Sequence, residues 1–147
     1  MDVGDNMAEK LPSNVQTESR NPRKGLLATG LSQIDALLTS TPSWGGKAVP
    51  PPSEPAAWRA KQAYRMFASQ ELVPDRIVAS GEGGVALCFL RGDKVADVEF
   101  LNNGENLASI EDRVSGATEI WEFTTSELKT TQTRIREFLD RDAKDPV

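Results

Sequence analysis

The chain has no histidine and a single cysteine, Cys88, among its 147 residues. Without histidine, neither a Ser-His-Asp nor a Cys-His nucleophile pair can be assembled from this chain, and neither can a His-containing zinc site. One cysteine excludes an internal disulfide and a thiolate-rich metal centre. Chemistry is left to Asp, Glu, Lys, Ser, Thr and Tyr. Bases are also in deficit: 17 Lys and Arg stand against 22 Asp and Glu, a net charge of −5. That balance argues against non-specific nucleic-acid binding and against anionic membrane surfaces, both of which want a basic face. No apolar run approaches the roughly 18 residues of a membrane span. The start, MDVGDNMAEK, has neither the basic opening nor the apolar stretch of a secretory signal. The expectation is a cytoplasmic protein without membrane contact, and nothing in the sequence calls for a cofactor.

What is present suits one domain with a real core. Hydrophobic residues make up 38% of the chain, below a compact average, so part of it is expected to be tail or loop. Residues 1–26 are polar, mixed in charge and without period, and read as a disordered tail. The basic stretch Arg20–Lys24 lies in it, solvated or touching a phosphate or partner. "GLSQIDALL" then predicts a short helix over 32–38, with Ser32 as cap and Leu31, Ile34, Leu37 and Leu38 on one face. A helix this short must dock, on its own domain or in a partner's groove. Residues 41–52 form a Pro-rich bend, with Gly45-Gly46 permitting a tight turn beside Trp44. A longer helix follows over 54–69, capped by Ser53, with Ala56, Ala60, Ala63, Tyr64 and Phe67 as its buried stripe.

From Arg76 to Phe123 the apolar period changes to two. Five strands, "RIVAS", "VALCFL", "KVADVEFL", "NLASIE" and "ATEIWEF", are separated by short turn sequences, which predicts an antiparallel meander over 76–123. Thr124 and Glu127 make a capping-box pattern before a closing helix over 125–140. If Gly92-Asp93 is a two-residue hairpin turn, Phe89 faces Ala96 and Leu87 faces Val98. If Asn102-Asn103-Gly104 is a three-residue loop, Val98 faces Ala108 and Ala96 faces Ile110. Both turns give the same inside: Val85, Leu87, Phe89, Ala96, Val98, Phe100, Ala108 and Ile110.

The other face gathers Asp97, Glu99 and Glu111 around Ala86, Cys88 and Leu107. Residues 79–123 hold nine acids and three bases, so the charge imbalance of the chain resides in this sheet. Glu119 and Trp121 join the acidic face if the "DRVSG" loop has the right parity, which the sequence leaves open. Three readings fit these acids. They are the solvated side of a sheet; or Asp97, Glu99, Leu107, Glu111 and Trp121 form a binding face for a basic protein partner; or Asp97, Glu99 and Glu111 form a hard-cation or catalytic site of a metal-dependent hydrolase or nuclease. Against the third, Leu101 stands two residues beyond Glu99, where a restriction-nuclease-like centre carries a lysine.

Other candidates fail on context. Gly81-Glu82-Gly83-Gly84 opens into a strand and not a helix, so it is turn chemistry and cannot cradle a phosphate. "GLLATGLS" has two glycines at P-loop spacing, but Leu31 stands where the lysine belongs. Cys88 has no base in sequence reach and reads as packing.

Taken in order, Trp44-Gly45-Gly46, Pro50-Pro51-Pro52-Ser53, Glu82-Gly83-Gly84-Val85, Gly92-Asp93 and Asn103-Gly104-Glu105 give the chain a further feature. It resembles a group of small bacterial proteins of unknown function. Their pattern is a short helix, Trp-Asp-Gly, a Pro-rich bend, a helix, then Asp/Glu-Gly-Gly and a meander. Gly45 replaces the acid of that pattern. The resemblance implies that the short helix and Trp44 belong to the domain, and it implies no activity and no site residues.

The sequence therefore predicts a single α+β domain over 27–142, a five-stranded antiparallel β-meander packed with N- and C-terminal helices on one face. The expected function is non-enzymatic binding of a macromolecular partner through the acidic sheet face, of the inhibitor, antitoxin or immunity kind.

Overall fold

A computed structural model describes residues 22–141. Helix α1 (Pro22–Leu37) leads into a small hairpin, β1 (Ser43–Trp44) and β2 (Lys47–Ala48), and then helix α2 (Glu54–Ser69). Strands β3 (Arg76–Ala79), β4 (Gly84–Arg91), β5 (Lys94–Leu101), β6 (Asn106–Asp112) and β7 (Thr118–Glu122) follow. A 3-10 turn (Thr125–Glu127) opens helix α3 (Leu128–Asp140).

The five long strands pair antiparallel in chain order, as a meander. Gly92 adopts φ +61° while Asp93 keeps a negative φ, which closes the β4–β5 hairpin tightly and pairs Phe89 with Ala96 and Leu87 with Val98. Gly104, at φ +99°, closes the three-residue loop and pairs Val98 with Ala108 and Ala96 with Ile110. Both expected registers are observed. The apolar face they create meets the helices: Phe67 of α2 stands edge-on to Phe89, and Phe100 edge-on to Phe123. Helix α1 lies against α2 and β3, α2 against β4 and β5, and α3 against β5 and β6. The fold is α+β, with its N- and C-terminal helices packed on the meander.

Helix α2 keeps its expected limits because Ser53 Oγ accepts the Ala56 amide at 3.2 Å. Ahead of α3, the Thr124 amide donates to Glu127 Oε1 at 2.8 Å, the box read from the sequence. Within the Pro-rich bend, Gly45 (φ +58°) and Gly46 (φ +81°) form the turn of the β1–β2 hairpin, where both central residues need positive φ.

Helix α1 differs from the expectation. It begins at Pro22, ten residues before the expected start at Ser32, so residues 22–26 belong to a helix and not to a tail. Gly25 and Gly30 each weaken a helix by about 1 kcal/mol, which hid its first half. Packing overrides that propensity: a Cβ on Gly30 would lie 2.0 Å from Tyr64 Cζ, so the bare glycine lets α1 press against α2. Ile34 is fully buried, and Leu27 and Leu31 pack around the core beside it. The remainder of the expected tail, residues 1–21, and with it Arg20, lies outside the described residues.

Candidate functional site: the helix-free sheet face

Alternation sends every second residue of the meander away from the helices. Across the strands, Arg76, Cys88, Asp97, Ser109 and Ile120 stand side by side. Val78, Ala86, Glu99, Leu107 and Glu122 form the next row, and Leu90, Val95, Glu111 and Thr118 a third. No described helix covers these rows. Their small members are sunk among longer neighbours, whereas Leu90 is 44% and Ile120 74% exposed. Within these paired rows Asp97, Glu99, Glu111 and Glu122 stand with one base, Arg76.

The carboxylates are not equivalent. Glu99 Oε1 accepts a 2.6 Å hydrogen bond from Ser80, whose side chain is buried and whose Oγ in turn accepts the Glu82 amide at 3.1 Å. Glu99 thus holds the β3–β4 turn as well as facing outward. Asp97 stands directly across the strand pair from Cys88. Burial first, and then this neighbouring carboxylate, push the thiol up to about 12, so it stays protonated and inert as a nucleophile. Glu111 and Glu122 are exposed.

Asp97, Glu99, Leu107 and Glu111 are brought together on one face, as their alternation requires. Asp97 and Glu99 are two residues apart on β5, and Glu111 is diagonal to Asp97, spacings of about 7 Å on a pleated sheet. Among the described residues no group of three Asp, Glu, Cys or His side chains is placed to hold a metal ion.

Trp121 is a correction. It pairs with Ala108 and Glu119 pairs with Ile110, so both stand on the helix-packed face. The cause is the loop before β7. Asp112 Oδ1 accepts the amides of Val114 and Ser115, and the Asp112 amide donates to Ala117. Four residues thus lie between the paired Asp112 and Ala117, and that parity turns 117, 119, 121 and 123 inward. Beneath α3, Trp121 Nε1 donates to Thr131 Oγ1 at 3.4 Å, and the Arg134 guanidinium lies 3.7 Å from its ring centroid and pairs with Glu119. The residues that the same parity places on the acidic face instead are Ile120 and Glu122. The sequence signal for them was present, since exchanging the face of "TEIWE" exchanges Trp121 for Ile120, but the loop length alone did not decide it.

Two other groups went unread in the sequence. Trp58, 58% exposed, stands off the buried stripe of α2, and a tryptophan outside a helix's apolar stripe is itself the signal. Arg59 leaves its helix to bond the β5–β6 turn, donating to Leu101 O at 2.6 Å, to Glu105 O at 3.4 Å and to Asn106 Oδ1. Burial lowers the pKa of this guanidinium. The cleft between β7 and α3, about 210 Å³ and lined by Ile110, Arg134, Glu137 and Phe138, belongs to the helix layer and not to the acidic face.

No protein-family model, curated protein or solved structure matches this chain. No described helix is long and apolar enough to cross a membrane.

Proposed function

We propose that the chain is a non-enzymatic, cytoplasmic protein that binds a protein partner with a basic surface through its helix-free sheet face. An inhibitor, antitoxin or immunity role is of this kind. The observation that carries the reading is the asymmetry of the sheet. Its helix side is filled, while its other side combines four carboxylates, one guanidinium and the exposed side chains of Leu90 and Ile120. Such a surface separates two tasks of recognition. The negative field steers a cationic partner and raises its association rate, and Leu90 and Ile120 supply area to be removed from water.

The test uses a partner captured at low salt and then titrated with variants. Glu111→Lys with Glu122→Lys reverses two exposed charges and leaves the Ser80–Glu99 hydrogen bond intact. The expected result is an affinity weakened by at least about tenfold, with a shallower dependence on salt. A partner indifferent to the double reversal and to salt overturns the reading, however firmly it is captured.

A further inference from the structure

The two edges of the meander are not alike. At β3, the side nearest solvent is partly closed: Trp44 Nε1 donates to Ala79 O at 3.3 Å, and α1 lies against the strand. At β7 the ladder ends. The Phe123 amide donates to Asn106 O and the Asp112 amide to Ala117 O, which fixes the alternation between them. Residues 117, 119, 121 and 123 bond inward to β6, so the amides and carbonyls of Thr118, Ile120 and Glu122 point away from the sheet. Among the described residues nothing pairs with them. The most exposed large hydrophobic side chain of the described strands, Ile120, sits at the centre of this triplet.

We infer that β7 is a self-association edge, on which the β7 strand of a second copy of this chain pairs antiparallel about a two-fold axis at Ile120. This inference does not rest on the acidic-face reading. Its support is the register. With Ile120 opposite Ile120, Thr118 meets Glu122, Glu119 meets Trp121, and three hydrogen-bonded pairs form within the strand. No like charges stand opposite each other. Moving the axis to Glu119 or Glu122 sets two carboxylates face to face. Moving it to Trp121 requires the backbone of Thr124, whose amide is already committed to Glu127. Charge complements the favoured register on the helix side. Each Arg134, stacked on its own Trp121 and paired with its own Glu119, also comes beside the second copy's Glu119. Two acids and two bases then alternate. The result is one continuous ten-stranded sheet with the two acidic faces on the same side.

Strand pairing of this length buries a small area, so the association is weak and concentration-dependent. Sedimentation equilibrium of the full chain up to about 1 mM should show a reversible dimer. Ile120→Lys places two ammonium groups on the axis and should raise the dissociation constant by at least about fivefold. An unchanged melting curve for that variant separates the loss from unfolding, because Ile120 is 74% exposed. In a Cys88→Ser background, Ile120→Cys should cross-link under oxidation, since Cα atoms of a hydrogen-bonded pair lie about 5.5 Å apart, within disulfide range. Glu122→Cys should not, because its copies stand about 14 Å apart in this register. A monomer across the concentration range overturns the inference. So does a dimer insensitive to Ile120→Lys, or one cross-linked equally by both cysteines.

Discussion

Substituting Gly30 by alanine separates a docked α1 from a merely adjacent one. A Cβ there would lie 2.0 Å from Tyr64 Cζ, 2.2 Å from its hydroxyl oxygen and 2.5 Å from Cε2. Carbon atoms rest about 3.5–4.0 Å apart, so α1 must retreat by about 1.5 Å or the Tyr64 ring must turn. The ring is 2% exposed and wedged in the core, and the retreat would pull Leu27, Leu31 and Ile34 from their contacts. Overpacking of this kind costs about 1–3 kcal/mol, and the better helix propensity of alanine returns about 1 kcal/mol. The net loss of up to about 2 kcal/mol corresponds to a melting temperature lower by up to about 8 °C. Gly25→Ala is the internal control, because a Cβ at Gly25 meets nothing within 4 Å. It should leave stability unchanged or raise it by up to about 1 kcal/mol. Paired thermal melts by circular dichroism decide the matter. If both alanines stabilise alike, α1 is not pressed against Tyr64 and the account of its docking is wrong.

Two more substitutions probe Arg59, on the helix layer, and Cys88, within the acidic face. Arg59→Lys keeps the charge but cannot span Leu101 O, Glu105 O and Asn106 Oδ1 with one ammonium. Urea unfolding should show a loss of about 1.5–3 kcal/mol with an unchanged slope, and no loss would mean that the β5–β6 turn holds itself. Cys88 should resist alkylation by iodoacetamide at pH 8 in the folded protein and react only on unfolding. Its pKa is raised in the fold, from 9.0 to about 12. The proton is therefore held more tightly by the folded state, and its contribution to stability is complete below pH 9 and is lost as pH rises from about 9 to about 12. Cys88→Ser should flatten that alkaline slope, and an identical slope in the variant would refute the assignment.

The parts of the fold that could be read from the sequence were those fixed locally. Gly92-Asp93 and Asn102-Asn103-Gly104 have few conformations open to them, and each sets a register that assigns every side chain of β4, β5 and β6 to a face. The four-residue connection to β7 has no such signature, because its geometry depends on the Asp112 side chain folding back onto two amides. That is why Trp121 was placed with the acids while Ile120 and Glu122 were not. The first half of α1 was hidden for the opposite reason. Its local signal, two glycines, argues against a helix, and only the ring of Tyr64, 34 residues away, explains why Gly30 belongs there. Arg59 reads as a surface residue of α2 until the β5–β6 turn is brought beside it.

Carboxylate footprinting of the chain, free and with its captured basic partner, tests the proposed binding face most directly. Activating the acids with a carbodiimide and coupling them to a neutral amine labels those open to solvent. Binding through the helix-free face predicts that Asp97, Glu111 and Glu122 lose labelling in the complex, while Glu54 on α2 and Glu137 on α3 keep it. Protection of Glu54 or Glu137 with Glu111 and Glu122 still labelled would place the partner on the helices, beside Trp58, and contradict the account.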